Sequence, residues 1–123
     1  QFFSADITME GGAGATRAFL TSGFKCTALL CFSDVLAASA LVELRRHGFH
    51  VPSDLSVIGI DDLPASAYSE PRLTTVRLPV SSMGYETADA VAGWIERQIV
   101  PSSLLLDCGL VIRGSTRATS RDA

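Results

Sequence analysis

Several kinds of residue are scarce in this chain, and each scarcity removes a class of function. Lysine occurs once, at Lys25, and the other basic residues are arginines scattered from Arg17 to Arg121. Ten Lys and Arg face 13 Asp and Glu, for a net charge of -3. A surface that grips nucleic acid gathers its cations on one face, so the segment itself is not expected to bind DNA or RNA. No apolar run approaches the ~20 residues that a bilayer span requires. The opening Gln1-Phe2-Phe3-Ser4-Ala5-Asp6 has neither the basic region nor the long apolar stretch of a signal peptide. The expectation is a protein that neither enters a membrane nor is exported. Cysteine occurs three times, at Cys26, Cys31 and Cys108, an odd number with no close metal-type pair. Reduced thiols in a cytoplasmic setting are the simplest reading. His47 and His50 have no cysteine or second acidic cluster beside them to complete a metal site. Gly11, Gly12 and Gly14 form no G-x-G-x-x-G and follow no strong strand. No metal or cofactor is therefore expected.

What is present suffices for one core: 123 residues, of which 47% are hydrophobic. Thr27-Ala28-Leu29-Leu30-Cys31-Phe32 and Leu55-Ser56-Val57-Ile58-Gly59-Ile60 are short continuous apolar runs, the pattern of strands buried on both faces. Between them Leu36, Ala40, Leu41 and Leu44 recur at helical spacing, with Ser33 or Asp34 able to cap the start and Arg45, Arg46 and His47 crowding the last turn before Gly48. Strand, helix and strand in immediate succession predict a right-handed parallel crossover. The fold class is α/β: a parallel sheet with flanking helices.

An earlier helix is expected from about Met9 to Ser22, with Thr8 as its cap, Gly23 as its stop and a core stripe of Ala15, Ala18 and Phe19. Its glycines weaken it by roughly 1 kcal/mol each relative to Ala. After Ile60, a loop from Asp61 to Arg72 is punctuated by Pro64 and Pro71 and gives way to extended Leu73–Leu78. The clearest amphipathic helix follows from Ser82 to about Ile99, with Gly84, Ala88, Val91, Ala92, Ile95 and Ile99 on one stripe. Leu104–Leu106 and Leu110–Arg113 read as further extended segments, and the polar end from Arg117 to Ala123 reads as frayed.

In an open parallel sheet, ligands bind beyond the carboxyl ends of the strands. Ser33-Asp34 follows the first apolar strand and Asp61-Asp62 follows the second, so the crossover brings both pairs to one rim. A carboxylate accepts several hydrogen bonds, which suits Asp61 to adjacent hydroxyls of a sugar or to the N–H groups of a base, and Ser33 can donate and accept. Asp34 is read as a helix cap and Asp62 as sufficient to close the turn. Adjacent carboxylates on an extended segment point in different directions, which suits neither a carboxylate dyad nor a two-metal site. With Lys25 placed before a strand, a phosphate-accepting pocket lacks its cation. Binding is expected and catalysis is not.

Three ordered blocks carry a resemblance: Gly12-Ala13-Gly14-Ala15-Thr16-Arg17-Ala18-Phe19-Leu20, Thr27–Asp34, and Val51-Pro52-Ser53-Asp54 running into Leu55–Asp62. With Leu73-Thr74-Thr75-Val76-Arg77, Met83-Gly84 and the closing Leu110-Val111-Ile112-Arg113-Gly114-Ser115-Thr116, they resemble the effector-binding core of LacI/GalR-type bacterial transcription regulators over nearly the whole chain. The resemblance implies two similar α/β subdomains of the type I periplasmic-binding-protein kind with an effector between them. It also implies a helix-turn-helix headpiece, absent from this segment, that would bind operator DNA as a dimer. Residues 1–78 and 104–116 would then form an incomplete C-terminal subdomain, and residues 79–103 would supply a helix to the missing N-terminal one. By position, Asp61 and Ser33 match effector-contacting residues. The family often places a stacking aromatic near Ile7, which here can pack without stacking. Ala37, Ala38, Leu41 and Arg45, on the helix after Ser33-Asp34, would lie at the homodimer face. The implied role is a repressor's sensing of a small polar effector, a sugar or nucleoside. The alternative is a periplasmic sugar-binding protein of a transport system.

Overall fold

The computed structural model describes residues 1–100 and 102–118. Helix α1 spans Met9–Thr21, strand β1 Ala28–Leu30, helix α2 Asp34–Arg46 and strand β2 Ser56–Ile60. A 3₁₀ turn at Pro64–Ala67 leads to strand β3 at Thr74–Arg77, helix α3 at Val80–Arg97 and strand β4 at Gly109–Val111. The four strands form one sheet in the order β1-β2-β3-β4. β1 pairs parallel with β2 and β2 parallel with β3, with Leu30 opposite Ile58 and Ile60 opposite Val76. The β1-α2-β2 crossover is thus the parallel unit that the sequence pattern predicts.

Both N-terminal helices start where a side chain replaces a missing backbone partner. Thr8 Oγ1 accepts from the Gly11 N–H at 3.0 Å, and Ser33 Oγ accepts from the Leu36 N–H at 3.2 Å. Arg45 and Arg46 complement the dipole at the end of α2. The glycines of α1 are more than weak points. A Cβ on Gly12 would lie 2.9 Å from the Ser39 Cβ and 3.1 Å from the Leu36 Cα, so its absence lets α1 settle against the first turns of α2. Ser39 Oγ then donates to the Met9 carbonyl at 2.5 Å, tying the two helices together.

The chain divides into two units, Gln1–Arg77 together with the chain from Leu110, and Leu78–Gly109. In the first, Phe19, Ala37, Leu41, Leu44, Leu55, Val57 and Leu73 form the core, with Phe3, Leu20 and Leu29 packed around them. Leu44, Val57 and Leu73 are wholly buried, each contributing about 1.5–3 kcal/mol of transfer free energy. Ser115 stitches β2 to β3: its hydroxyl accepts from the Thr74 N–H at 2.8 Å and donates to the Val57 carbonyl at 2.6 Å, and its own carbonyl accepts from the Val57 N–H. In the second unit, α3 carries an open apolar groove lined by Val80, Met83, Gly84, Ala88, Val91 and Ile95.

Several expectations change. Among the described residues β1 lies at an edge of the sheet with one open face, since Leu30 is 72% exposed while Leu29 packs on the core. The buried stripe of α1 is Gly12, Ala13, Thr16 and Phe19; Ala18 is exposed and Ala15 half-buried, because the packing partner is α2 and close approach at Gly12 sets the rotation. α3 begins two residues early, at Val80 directly after Pro79. Leu104–Leu106 is not a strand, and the last strand is Gly109–Val111 instead of Leu110–Arg113. Of the tail read as frayed, residues 119–123 lie outside the described residues. Among the described residues no helix is long and apolar enough to cross a membrane.

Candidate functional site at the carboxyl edge of the sheet

At the end of β2 the backbone enters an unusual conformation. Asp61 has φ of 114° and Asp62 a φ of 54°, so two successive non-glycine residues take positive φ. The Asp62 value falls in the left-handed region that Asp tolerates, whereas that of Asp61 lies beyond it and costs about 1–3 kcal/mol. Such strain persists only where neighbours over-determine it, and they do. The N–H groups of Asp61, Asp62 and Leu63 are all held: the first by the Val76 carbonyl at 2.9 Å, the second by Thr75 Oγ1 at 3.3 Å, the third by Asp34 Oδ2 at 2.8 Å.

The three aspartates nearest this edge are used differently. Asp34, buried at 2% exposure, accepts from the hydroxyls of Ser66 and Thr75 at 2.5 Å each as well as from the Leu63 N–H. It is a structural carboxylate, but not the helix cap expected of it: Ser33 caps α2, and Asp34 is the first residue of the helix. Asp62 is bound by two guanidinium groups, through Arg77 Nε and Arg113 Nη2, at 2.6 Å each. Hydrogen bonds from Arg113 and then Arg77 hold its carboxyl below the usual carboxylate range, against a smaller upward push from burial. Asp61 is half-buried, and among the described residues its carboxylate receives no hydrogen bond. Of the three, it is the carboxylate without a hydrogen-bond donor among the described residues.

The other predicted contacts are placed less simply. Ser33 is 3% exposed and spends its acceptor on the Leu36 N–H, leaving one hydroxyl hydrogen to donate. Ile7 is 60% exposed just ahead of α1, whose Gly12 rests on the first turn of α2. The end of α1 that carries Ile7 therefore lies toward the end of α2 that carries Ser33. Phe32, between β1 and Ser33, is 75% exposed and was not singled out from sequence. Its signal is an aromatic ring at the carboxyl end of an apolar strand, where the chain turns. Cys31 beside it is no nucleophile, because burial and then the charge of Asp34 push its thiol up to about 11. Among the described residues no cluster of His, Cys, Asp and Glu is arranged to hold a metal ion.

Two of the four residues expected at a dimer face are not available for it. Ala37 is wholly buried and Leu41 is 6% exposed, both in the core under the sheet. The helical repeat accounts for this: Ala37, Leu41 and Leu44 are the stripe that packs inward, so their neighbours carry the outward face. Ala38 is half-buried, and Arg45 is exposed, as is Val42.

Residues 3–116 match the family model of the periplasmic binding protein-like domain. The transcriptional repressor CytR of Escherichia coli K12 is 41% identical over 114 residues, covering 92% of this chain and 33% of CytR. A LacI family transcriptional regulator from Arthrobacter sp. FB24, solved in complex with lactose, superposes with a TM-score of 0.79 at 31% identity, over 94% of this chain and 45% of that one. The lac repressor dimer bound to operator and the anti-inducer ONPF superposes with a TM-score of 0.86 at 31% identity, over 93% and 40% of the two chains. The chain thus spans about a third of the length of CytR.

Proposed function

This chain belongs to the periplasmic binding protein-like domain family, with LacI-type transcription regulators as its relatives, and on that footing we propose that it is the effector-sensing part of a repressor. The role requires no chemical step. A small polar molecule, a sugar or a nucleoside, binds at the carboxyl edge of β1 and β2 and shifts the protein between DNA-competent and DNA-incompetent arrangements. Operator contact belongs to a headpiece outside these residues, and the setting is cytoplasmic. The names of the relatives favour this reading over a transport protein.

The observation that carries the proposal is Asp61, on a strained backbone and with a carboxylate that has no partner among the described residues, at the edge where its neighbours Asp34 and Asp62 are fully engaged. It accepts ligand hydroxyl or N–H groups; the Ser33 hydroxyl donates; Phe32 and Ile7 offer apolar surface to the ring. The apolar face of α3, within the segment 79–103 that the resemblance assigns to a missing subdomain, docks on that further subdomain. The protein is a homodimer in which Ala38 and Arg45 contact the partner. Calorimetric titration of the intact protein and its Asp61→Ala variant with lactose and a panel of nucleosides tests the site. Binding by the wild type, weakened at least about tenfold in the variant (a loss of about 1.4 kcal/mol), is expected; equal affinities overturn the role of Asp61. An Arg45→Glu variant that sediments as the wild-type dimer overturns the interface.

A further inference from the structure

We infer that Asp34 is a positioning residue for ligand recognition: its buried carboxylate holds the Asp61–Leu63 turn in the conformation that aims Asp61 at the ligand. The inference rests on the reading of Asp61 given above. Its basis is a chain of hydrogen bonds from one carboxylate to consecutive backbone amides. Asp34 Oδ2 accepts directly from the Leu63 N–H at 2.8 Å. Its Oδ1 accepts the Thr75 hydroxyl proton at 2.5 Å, which leaves Thr75 Oγ1 facing the Asp62 N–H at 3.3 Å as an acceptor. The Ser66 hydroxyl, donating to Oδ2 at 2.5 Å, fastens the 3₁₀ turn that follows. Two of the three amides that pin the strained dipeptide therefore depend on Asp34, and the third, the Asp61 N–H on the Val76 carbonyl, belongs to the strand pairing.

Two further features separate this from an ordinary buried polar contact. Gly59, two residues before Asp61, has no Cβ because one would overlap Asp34 Oδ1, so β2 itself is shaped around the carboxylate. Asp34 also adjoins Ser33, the other proposed ligand contact, in the first turn of α2. One side chain thus sets the relation between the loop after β1 and the loop after β2. A ligand that bridges Ser33 and Asp61 meets a distance fixed by Asp34. Relaxation of the turn lets Asp61 leave its positive φ, which releases strain and turns the carboxylate away.

The test uses Asp34→Asn, which supplies an amide nitrogen where a carboxylate oxygen accepted, and Thr75→Val, which keeps the shape of a wholly buried side chain and removes the relay. Amide hydrogen exchange of the intact protein is followed well below its unfolding transition, with and without lactose. Faster exchange, by about tenfold or more, confined to residues 62–66 while the amides of Asp61 and those around Leu44 and Val57 keep their protection, is the expected result. Thr75→Ser, which retains the hydroxyl, restores the wild-type pattern. Uniform loss of protection across the core, or unchanged exchange at 62–66, overturns the positioning role and leaves Asp34 as a plain stabilising group. Where Asp34→Asn does not fold, Thr75→Val decides by the same two outcomes. Since the exchange pattern is read without ligand, a wild type that binds neither lactose nor nucleosides counts against the proposed function and leaves this test intact. In a wild type that binds, Thr75→Val lowers affinity by about tenfold.

Discussion

Replacing Asp61 by glycine is expected to make the protein more stable while removing its ligand contact, and comparison with alanine isolates the reason. Both variants lose the carboxylate, and both keep the backbone bond from residue 61 to the Val76 carbonyl. They differ in tolerance of φ at 114°. Alanine retains the strain of about 1–3 kcal/mol that a Cβ incurs there. Glycine relieves it and gives back about 0.5–1 kcal/mol through its larger unfolded-state entropy. Asp61→Gly should therefore exceed Asp61→Ala in stability by about 1 kcal/mol, and by no more than about 2.5 kcal/mol, a shift of about 0.5 M in urea midpoint for a slope near 2 kcal/mol/M. Equilibrium urea unfolding of the two variants, followed by tryptophan-independent far-ultraviolet circular dichroism, gives the difference directly. Titration with a ligand of the wild type should show both variants equally impaired. A glycine variant no more stable than the alanine variant would refute the claim that the backbone at Asp61 is strained.

Three other outcomes are expected. Gly59→Ala places a methyl group on the buried Asp34 carboxylate and should cost about 2–4 kcal/mol in denaturant unfolding; a loss below about 1 kcal/mol contradicts the close approach. The lowered pKa of Asp62 means that its pairing with Arg113 and Arg77 contributes stability above the unfolded carboxylate value of about 3.9 and loses it as pH falls through the lower folded value. The acid limb of a stability profile should accordingly be shallower in Asp62→Asn below about pH 4 and parallel to wild type above about pH 5. Ser115→Ala strips the Thr74 N–H of its acceptor inside the sheet and should cost about 1–3 kcal/mol, with no change in ligand affinity because Ser115 lies at the opposite, amino-terminal end of β2 and β3.

How much of this was legible in the residues depended on the range of the interaction involved. Helix starts at Thr8 and Ser33 and the crossover from β1 through α2 to β2 follow from neighbours in the chain, because capping and hydrophobic periodicity act over three or four residues. The rim that joins Ser33 to Asp61 follows from that topology alone. Which aspartate is free could not be read locally. Asp61 and Asp62 are identical side chains one residue apart, and what distinguishes them is Arg113, 51 positions beyond Asp62, and Arg77 on β3. Asp34 looked like a cap because a cap is what an aspartate at a helix start does locally; Thr75, 41 positions on, gives it a different task.

The sequence by itself determined an α/β chain with a parallel crossover and a polar carboxyl edge, since continuous apolar runs, helical repeat and turn chemistry are written into consecutive residues. Tertiary structure decided three matters among the described residues: which face of α2 is buried, that β1 lies at an edge of the sheet, and that the Asp61 carboxylate is without a partner on a strained backbone. Each of these is settled by atoms that meet only after the strands are in register. Burial and electrostatic pairing are properties of the folded neighbourhood, and no pattern of nearby residues contains them.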